Sequence, residues 1–294
     1  MVSVCGHLFG TGDFSRDGRR LPLTPASTAL FACLLLQRGT PIDRGRLADA
    51  VGERPASEGQ TRRRLNTAIW RLRRQLEPDG VARESVLTTA DHGLRVAEDC
   101  DLWVDVLEFE SMNARLAGFD RWTERDAELA QQALDLYRGD FLLGQFTEWA
   151  LAERARLADQ HFQLLIRLAQ WHQHRGEPEE ALPYAQTAVD VEPLREDLHR
   201  LVMQLYAAAG LPQLAERQLQ KCRLVLAEEL GIEPLPETVA VARVASGPSR
   251  PSTASYDRAI RELESSNAEL RRLSMRLQHS LRDLRRERDQ LLRD

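Results

Sequence analysis

The spacing of apolar positions in the first third of the chain predicts strands followed by three helices. Short apolar runs over residues 2–9 and 20–23, separated by a polar stretch, are typical of β-strands joined by a turn. Thr24 followed by Pro25 predicts a helix start, because threonine caps the free amides of a first turn and proline fits its first position. Asp43 predicts the start of a second, shorter helix.

The third helix, expected over residues 60–77, has one apolar face and one basic face. Its apolar residues recur at spacings of four, three and four, as in a helix that packs on a core: Leu65, Ile69, Leu72 and Leu76. The other face and its flanks collect arginines, two small polar residues and one tryptophan: Arg62, Arg63, Arg64, Asn66, Thr67, Trp70, Arg71, Arg73 and Arg74. Glu77 is the only acidic residue in the predicted helix.

A basic helix face of this kind suits the major groove of duplex DNA. Arginine can donate hydrogen bonds to guanine edges or to phosphates, and asparagine can read adenine. The candidate DNA-binding residues of the helix are Arg62, Arg63, Arg64, Asn66, Thr67, Trp70, Arg71 and Arg74. A solvated basic face without a ligand is the alternative interpretation.

A hairpin is expected after the third helix, with strands over residues 86–89 and 94–96. Arg95 is the only basic residue of this hairpin and is a further candidate for DNA contact. Three helices followed by a hairpin make a winged helix-turn-helix. The stretches RRRLNTAIWRLRRQLE and VLTTADHGLRV resemble the recognition helix and the wing of OmpR-type DNA-binding domains, over residues 1–98. The resemblance implies binding to double-stranded DNA, and we expect residues 1–98 to bind it alone.

Most of the next segment, residues 99–245, has a helical pattern with a self-similarity at 34 residues. Gly176 recurs as Gly210, and Ala181 recurs as Ala215. The stretch RGEPEEALPYAQTAVDVEP resembles a tetratricopeptide unit, in which a glycine lies in the turn between helices and small residues lie where helices cross closely. Stacked helix pairs are therefore expected, with ordinary helical-bundle packing as the alternative.

Four further stretches resemble the bacterial transcriptional activator domain: DLWVDVLEFE, ALDLYRGDFL, EWALAERARL and LAEELGIEPLPET. In the Streptomyces antibiotic regulatory protein family, this domain directly follows an OmpR-type winged helix. The resemblance therefore spans about residues 1–240. It implies a transcriptional activator that binds promoter repeats and recruits RNA polymerase.

Dividing the chain shows that its net charge of −5 conceals segments of opposite sign. Residues 1–98 contain 15 arginines and 11 acidic residues, a net charge of +4. Residues 99–247 contain 14 basic and 26 acidic residues, a net charge of −12, and residues 248–294 contain 11 arginines and 8 acidic residues. The basic balance of the first segment favours a nucleic-acid partner.

The end of the chain predicts a linker over residues 246–255 and a coiled coil over residues 256–294. Leucine recurs there every seven residues: Leu263, Leu270, Leu277, Leu284 and Leu291. Asn267 falls at a core position of the heptad repeat, where asparagine favours a coiled coil of two parallel helices. A homodimer is expected, and a single solvated helix is the alternative. The predicted fold class is thus mainly α: a winged helix-turn-helix, a tetratricopeptide-like helical domain and a C-terminal coiled coil.

Several functional classes receive no support from the sequence. No apolar run approaches the roughly 20 residues of a membrane span, and no signal-peptide pattern begins the chain, so a cytoplasmic protein without a membrane partner is expected. Neither catalytic motifs nor clustered metal ligands are present, so we expect no enzyme activity, cofactor or metal site. The competing function is a tetratricopeptide-like protein-interaction scaffold with a degenerate DNA-binding domain.

Overall fold

The computed structural model of the chain describes residues 3–37, 39–52, 57–90, 93–118 and 121–245. The linker and coiled coil predicted over residues 246–294 lie outside these ranges. The chain divides into two compact units, Met1–Trp171 and His172–Asp294. Within the described ranges, no helix is both long and apolar enough to cross a membrane.

The described part of the first unit contains seven strands and six helices, the last of which runs past the division: β1 (Ser3–His7), β2 (Asp13–Arg16), β3 (Arg19–Arg20), α1 (Pro25–Leu36), β4 (Ile42–Asp43), α2 (Arg44–Val51), α3 (Glu58–Leu76), β5 (Leu87–Ala90), β6 (Gly93–Val96), β7 (Asp101–Val104), α4 (Asp105–Ala117), α5 (Glu124–Leu136) and α6 (Glu148–His174). The strands form a four-stranded sheet in the order β3-β2-β1-β7 and a three-stranded sheet in the order β4-β6-β5.

Helices α1, α2 and α3 and the β5–β6 hairpin confirm the predicted winged helix. Thr24 caps α1 by accepting a hydrogen bond from the Ser27 amide, and Asp43 caps α2 through the amides of Gly45 and Arg46. Helix α3 begins two residues earlier than expected, where the Ser57 amide donates a hydrogen bond to Gln60 Oε1. The wing is the antiparallel pair of β5 and β6, next to β4.

Two strands in the first sheet depart from the expected pattern. The stretch predicted as a turn contains β2, which pairs antiparallel with β1 and buries Phe14. The segment over residues 99–245, whose pattern is mostly helical, contains β7, which pairs parallel with β1. Gly6 of β1 is opposite Val104, and a Cβ atom there would lie 2.7 Å from the Phe14 ring. The sheet therefore depends on glycine at this position.

Helices α4 and α5 and most of α6 belong to the same compact unit as the winged helix. The buried Asp105 carboxylate accepts hydrogen bonds from the amides of Leu8 (2.8 Å), Phe9 (3.2 Å) and Val106 (2.7 Å). The Phe9 ring packs against Tyr137, with ring centroids 4.6 Å apart. The division predicted at residue 98 falls between β6 and β7, inside this unit.

The second unit contains four further helices among its described residues: α7 (Pro178–Val191), α8 (Glu196–Ala208), α9 (Pro212–Leu230) and α10 (Pro236–Ala245). Its two turn glycines, Gly176 and Gly210, both have φ of 73°, a conformation that glycine adopts without strain. Ala181 and Ala215 are fully buried, as the 34-residue repeat predicts. Helix α10 packs on α8 and α9 around a small core: Met203, Ala215, Leu219, Ala242 and Ala245.

Candidate nucleic-acid interface

Helix α3 exposes all of its arginines except Arg73. Its core side is formed by Leu65, Ala68, Leu72 and Leu76, all buried, with Ile69 half-buried. The predicted DNA-binding residues of the helix are all exposed: Arg62, Arg63, Arg64, Asn66, Thr67, Trp70, Arg71 and Arg74. The described side chains of α3, those of residues 59–76, include several arginines and no carboxylate.

Trp70 stands in the middle of this face with 59% of its surface exposed. The Arg74 guanidinium lies 5.4 Å from the centre of its ring, a cation–π arrangement. Beside the pair is a notch of about 230 Å³, between α3 and the segment that leads into α1, lined by Pro22, Leu23, Thr24, Ser27, Trp70, Arg71, Arg74 and Gln75. The exposed indole gives the basic face an apolar surface, which could contact a sugar or a thymine methyl group.

Arg44 of α2 reaches the same face, although the sequence patterns did not single it out. Its guanidinium donates a hydrogen bond to Asn66 Oδ1. The two residues are 22 positions apart on different helices, so no local spacing could have related them. The Thr67 hydroxyl donates to the Arg63 carbonyl (2.9 Å) within α3.

The wing residue Arg95 is less exposed than the candidate DNA-binding arginines of α3. Its side chain is 33% exposed, and its Nη1 atom forms a 2.9 Å ion pair with Glu98. Residues 91 and 92, in the turn of the predicted wing, lie outside the described residues. Arg95 lies on strand β6, so this candidate DNA contact belongs to a different element from the others.

The described residues hold no group of three histidine, cysteine, aspartate or glutamate side chains placed to bind a metal ion. The site contains hydrogen-bond donors and positive charge on α3, on β6 and on the first turn of α2. Such an arrangement can bind a polyanion through its phosphates and can donate to base edges.

The three-helix unit, the hairpin wing and the exposed arginine-rich third helix together define a winged-helix DNA-binding protein. Residues 18–96 match the family model described as "Transcriptional regulatory protein, C terminal", and residues 104–244 match "Bacterial transcriptional activator domain". The chain therefore belongs to the bacterial transcriptional regulators of the Streptomyces antibiotic regulatory protein type, as the sequence motifs predicted.

Two relatives match about three quarters of the chain. It is 34% identical to the "Regulatory protein AfsR" of Streptomyces coelicolor over 227 residues, which cover 75% of this chain and 22% of AfsR. It is 30% identical to the "Transcriptional regulatory protein MoaR1" of Mycobacterium bovis over 240 residues, which cover 78% of this chain and 75% of MoaR1. The chain thus spans about a fifth of the length of AfsR and three quarters of MoaR1.

A solved structure has the same fold. The structure described as "Mycobacterium tuberculosis EmbR in complex with low affinity phosphopeptide" matches with a TM-score of 0.65 and 21% sequence identity. The match covers 91% of this chain and 71% of that chain. At this identity the likeness concerns the fold alone.

Proposed function

We propose that the protein is a sequence-specific activator that inserts α3 into the major groove of promoter repeats. The observation that carries this proposal is the exposed face of α3, where arginines surround Asn66 and Trp70 without a described carboxylate among them. The contact residues are those predicted on α3, with Arg95 touching a phosphate from the wing. Such a protein acts where the promoter is, in the cytoplasm of a bacterium.

We further propose that the acidic segment over residues 99–245 recruits RNA polymerase. Residues 99–247 carry a net charge of −12, which disfavours contact with phosphates and leaves this segment free for protein partners. The two matched families are families of transcriptional regulators, which supports regulation rather than catalysis. The predicted coiled coil would pair two such chains as a homodimer.

A mobility shift of the whole chain on the duplex upstream of its own gene tests DNA binding directly. We expect a specific shift that weakens as salt rises, because bound arginines release counterions from the DNA. Transcription of the same template with purified RNA polymerase should then increase when the protein is added. A chain that binds no duplex even at low salt would favour the interaction scaffold instead.

A further inference from the structure

Glu77, the residue that follows α3, carries a buried carboxylate bonded to the wing. Its side chain is only 3% exposed, and carboxylates are rarely buried unless they are paired. Its Oε1 atom accepts hydrogen bonds from the backbone amides of Val86 and Leu87, each at 2.9 Å. Because β5 begins at Leu87, the carboxylate joins the end of α3 to the start of the wing.

Arg73 adds a second connection from the last turn of α3. Its Nη1 atom lies 3.5 Å from Glu77 Oε2, and its Nη2 atom donates to the Thr89 hydroxyl of β5 at 3.0 Å. Glu84 Oε1 lies 3.8 Å from the same Nη2 atom and accepts a hydrogen bond from the Thr89 amide at 3.3 Å. The sequence placed Arg73 on the flank of the basic face, but its guanidinium is bonded to the wing and only 26% of its side chain is exposed.

Arg16 of β2 fixes the same end of α3 from the other sheet. Its guanidinium donates to the Gln75 carbonyl at 2.8 Å and lies 3.4 Å from the Leu76 carbonyl. The last carbonyls of a helix have no partner within the helix, so this contact supplies one. The end of α3 is therefore bonded both to β2 and to the wing.

We infer that Glu77 and Arg73 are positioning residues for DNA recognition, which set the angle between α3 and the wing. The inference rests on the proposed DNA binding. With α3 in the groove, this angle decides whether Arg95 reaches a phosphate. Glu77 and Arg73 act through the hairpin and need not touch DNA, because their polar atoms are already bonded to Val86, Leu87 and Thr89.

The direction in which one substitution changes DNA affinity separates this inference from a general effect of charge. Glu77→Gln removes a negative charge next to α3, and electrostatics alone would tighten DNA binding. The positioning role predicts weaker binding, because glutamine places an amide donor where Arg73 now meets a carboxylate oxygen. Glutamine keeps one oxygen for the two wing amides and the size of the side chain, so the fold should persist.

The test uses fluorescence anisotropy of the full chain on its upstream duplex over a range of salt concentrations. We expect Glu77→Gln to weaken binding roughly three- to tenfold and to lower the slope of log affinity against log salt by roughly one. The same substitution in an Arg95→Ala background should have no further effect, because the wing contact is already lost. Arg73→Met should behave in the same way.

A matched control is Arg125→Met, which removes one exposed arginine from α5 and should leave affinity unchanged. Thermal melting of each variant establishes that it is folded at the temperature of the titration. Should Glu77→Gln fail to fold, the inference is tested by Arg73→Met alone, from whether its loss of affinity disappears in the Arg95→Ala background.

Unchanged or tighter binding by Glu77→Gln would overturn the inference. A second contradicting result is that Arg73→Met lowers DNA affinity by the same factor in the unaltered chain and in the Arg95→Ala background. That result would overturn the inference as well and would make Arg73 a direct DNA contact. If the unaltered chain binds no DNA, the proposed function fails together with the inference. If it binds and the coupling to Arg95 is absent, only the inference fails.

Discussion

At the scale of single residues, the contact between Arg44 and Asn66 bears on which base α3 reads. An asparagine amide distinguishes bases only when its oxygen and nitrogen have fixed positions. The Arg44 guanidinium holds Asn66 Oδ1, which leaves the Nδ2 hydrogens to donate toward a base acceptor. If Asn66 contacts a base as proposed, we expect Arg44 to contribute to specificity from outside the recognition helix.

Replacing Arg44 with alanine should relax the sequence preference at the base pair next to Asn66. The amide would be free to rotate, so donor and acceptor could exchange places. Selection of bound duplexes from a randomised pool measures this, with Arg46→Ala as a control because Arg46 is also exposed on α2. An unchanged preference with weaker binding to every sequence would instead identify Arg44 as a phosphate contact.

His161 is expected to make the stability of the first unit depend on pH. Its ring stacks on Tyr137 with centroids 4.0 Å apart, and burial lowers the pKa of His161 from 6.5 to about 4. Burial also raises the pKa of Tyr137 to about 12, so the phenol stays neutral at acidic and neutral pH. The unfolded chain therefore takes up a proton at His161 at a higher pH than the folded chain does.

We expect His161 to lower the free energy of unfolding as pH falls from 6.5 towards 4. Its contribution is complete above pH 6.5, where neither state holds the proton, and it is lost as the pH falls through the folded pKa. His161→Phe keeps an aromatic ring beside Tyr137 but cannot titrate. Urea unfolding at pH 7 and pH 5 should show a larger drop for the unaltered chain, and equal drops would remove His161 as the cause.

At the scale of elements, the sequence predicted those features whose signals are local. The two faces of α3 follow from helical periodicity, and Gly176 and Gly210 mark turns that need positive φ. Strand β7 escaped prediction because its partner β1 lies almost a hundred residues earlier, and β2 because Phe14 is one buried residue in a polar stretch.

The same distinction applies to the candidate site. The basic face of α3 was predictable because its residues share one helix. The links from Arg44 to Asn66 and from Glu77 to the wing depend on how separate elements pack together. Periodicity within one element carries no information about such contacts, so only the structure could show them.

The pairing of β7 with β1 changes what we expect of a truncated chain. A fragment of residues 1–98 would lack β7, leaving one edge of β1 unpaired, and would lack Asp105, leaving the amides of Leu8 and Phe9 without their acceptor. Phe9 would also lose its ring contacts with Phe109 and Tyr137 and become exposed to water, which is destabilising. That residues 1–98 bind DNA alone stays a prediction, and this fragment is expected to be less stable than the whole chain.

We expect a fragment of residues 1–171 to unfold cooperatively and the 1–98 fragment to melt at a lower temperature or without cooperativity. Circular dichroism of both during heating measures this difference. Equal melting temperatures would mean that the winged helix folds independently of β7 and α4.

At the scale of the whole molecule, the proposed dimer rests on the heptad leucines after residue 256. This segment lies outside the described residues, so the coiled coil stays a prediction. Pairing two chains would hold two winged helices near neighbouring promoter repeats and raise their effective concentration there. Repeated half-sites would then bind more tightly than a single one.

Analytical ultracentrifugation of the chain with and without residues 256–294 tests the dimer. We expect a dimer at micromolar concentration for the whole chain and a monomer after the deletion. A monomer in both cases would exclude the coiled coil, and a dimer in both would place the interface within residues 1–255.

Single arginine substitutions, compared in one titration, test whether the exposed face of α3 binds DNA. Arg63→Ala and Arg74→Ala should each weaken binding to the upstream duplex, by about 1–3 kcal/mol where the arginine contacts a base edge. Arg125→Ala, which removes the same charge from α5, should leave the affinity unchanged. Unchanged affinity for both α3 variants, or an equal loss for Arg125→Ala, would contradict the account.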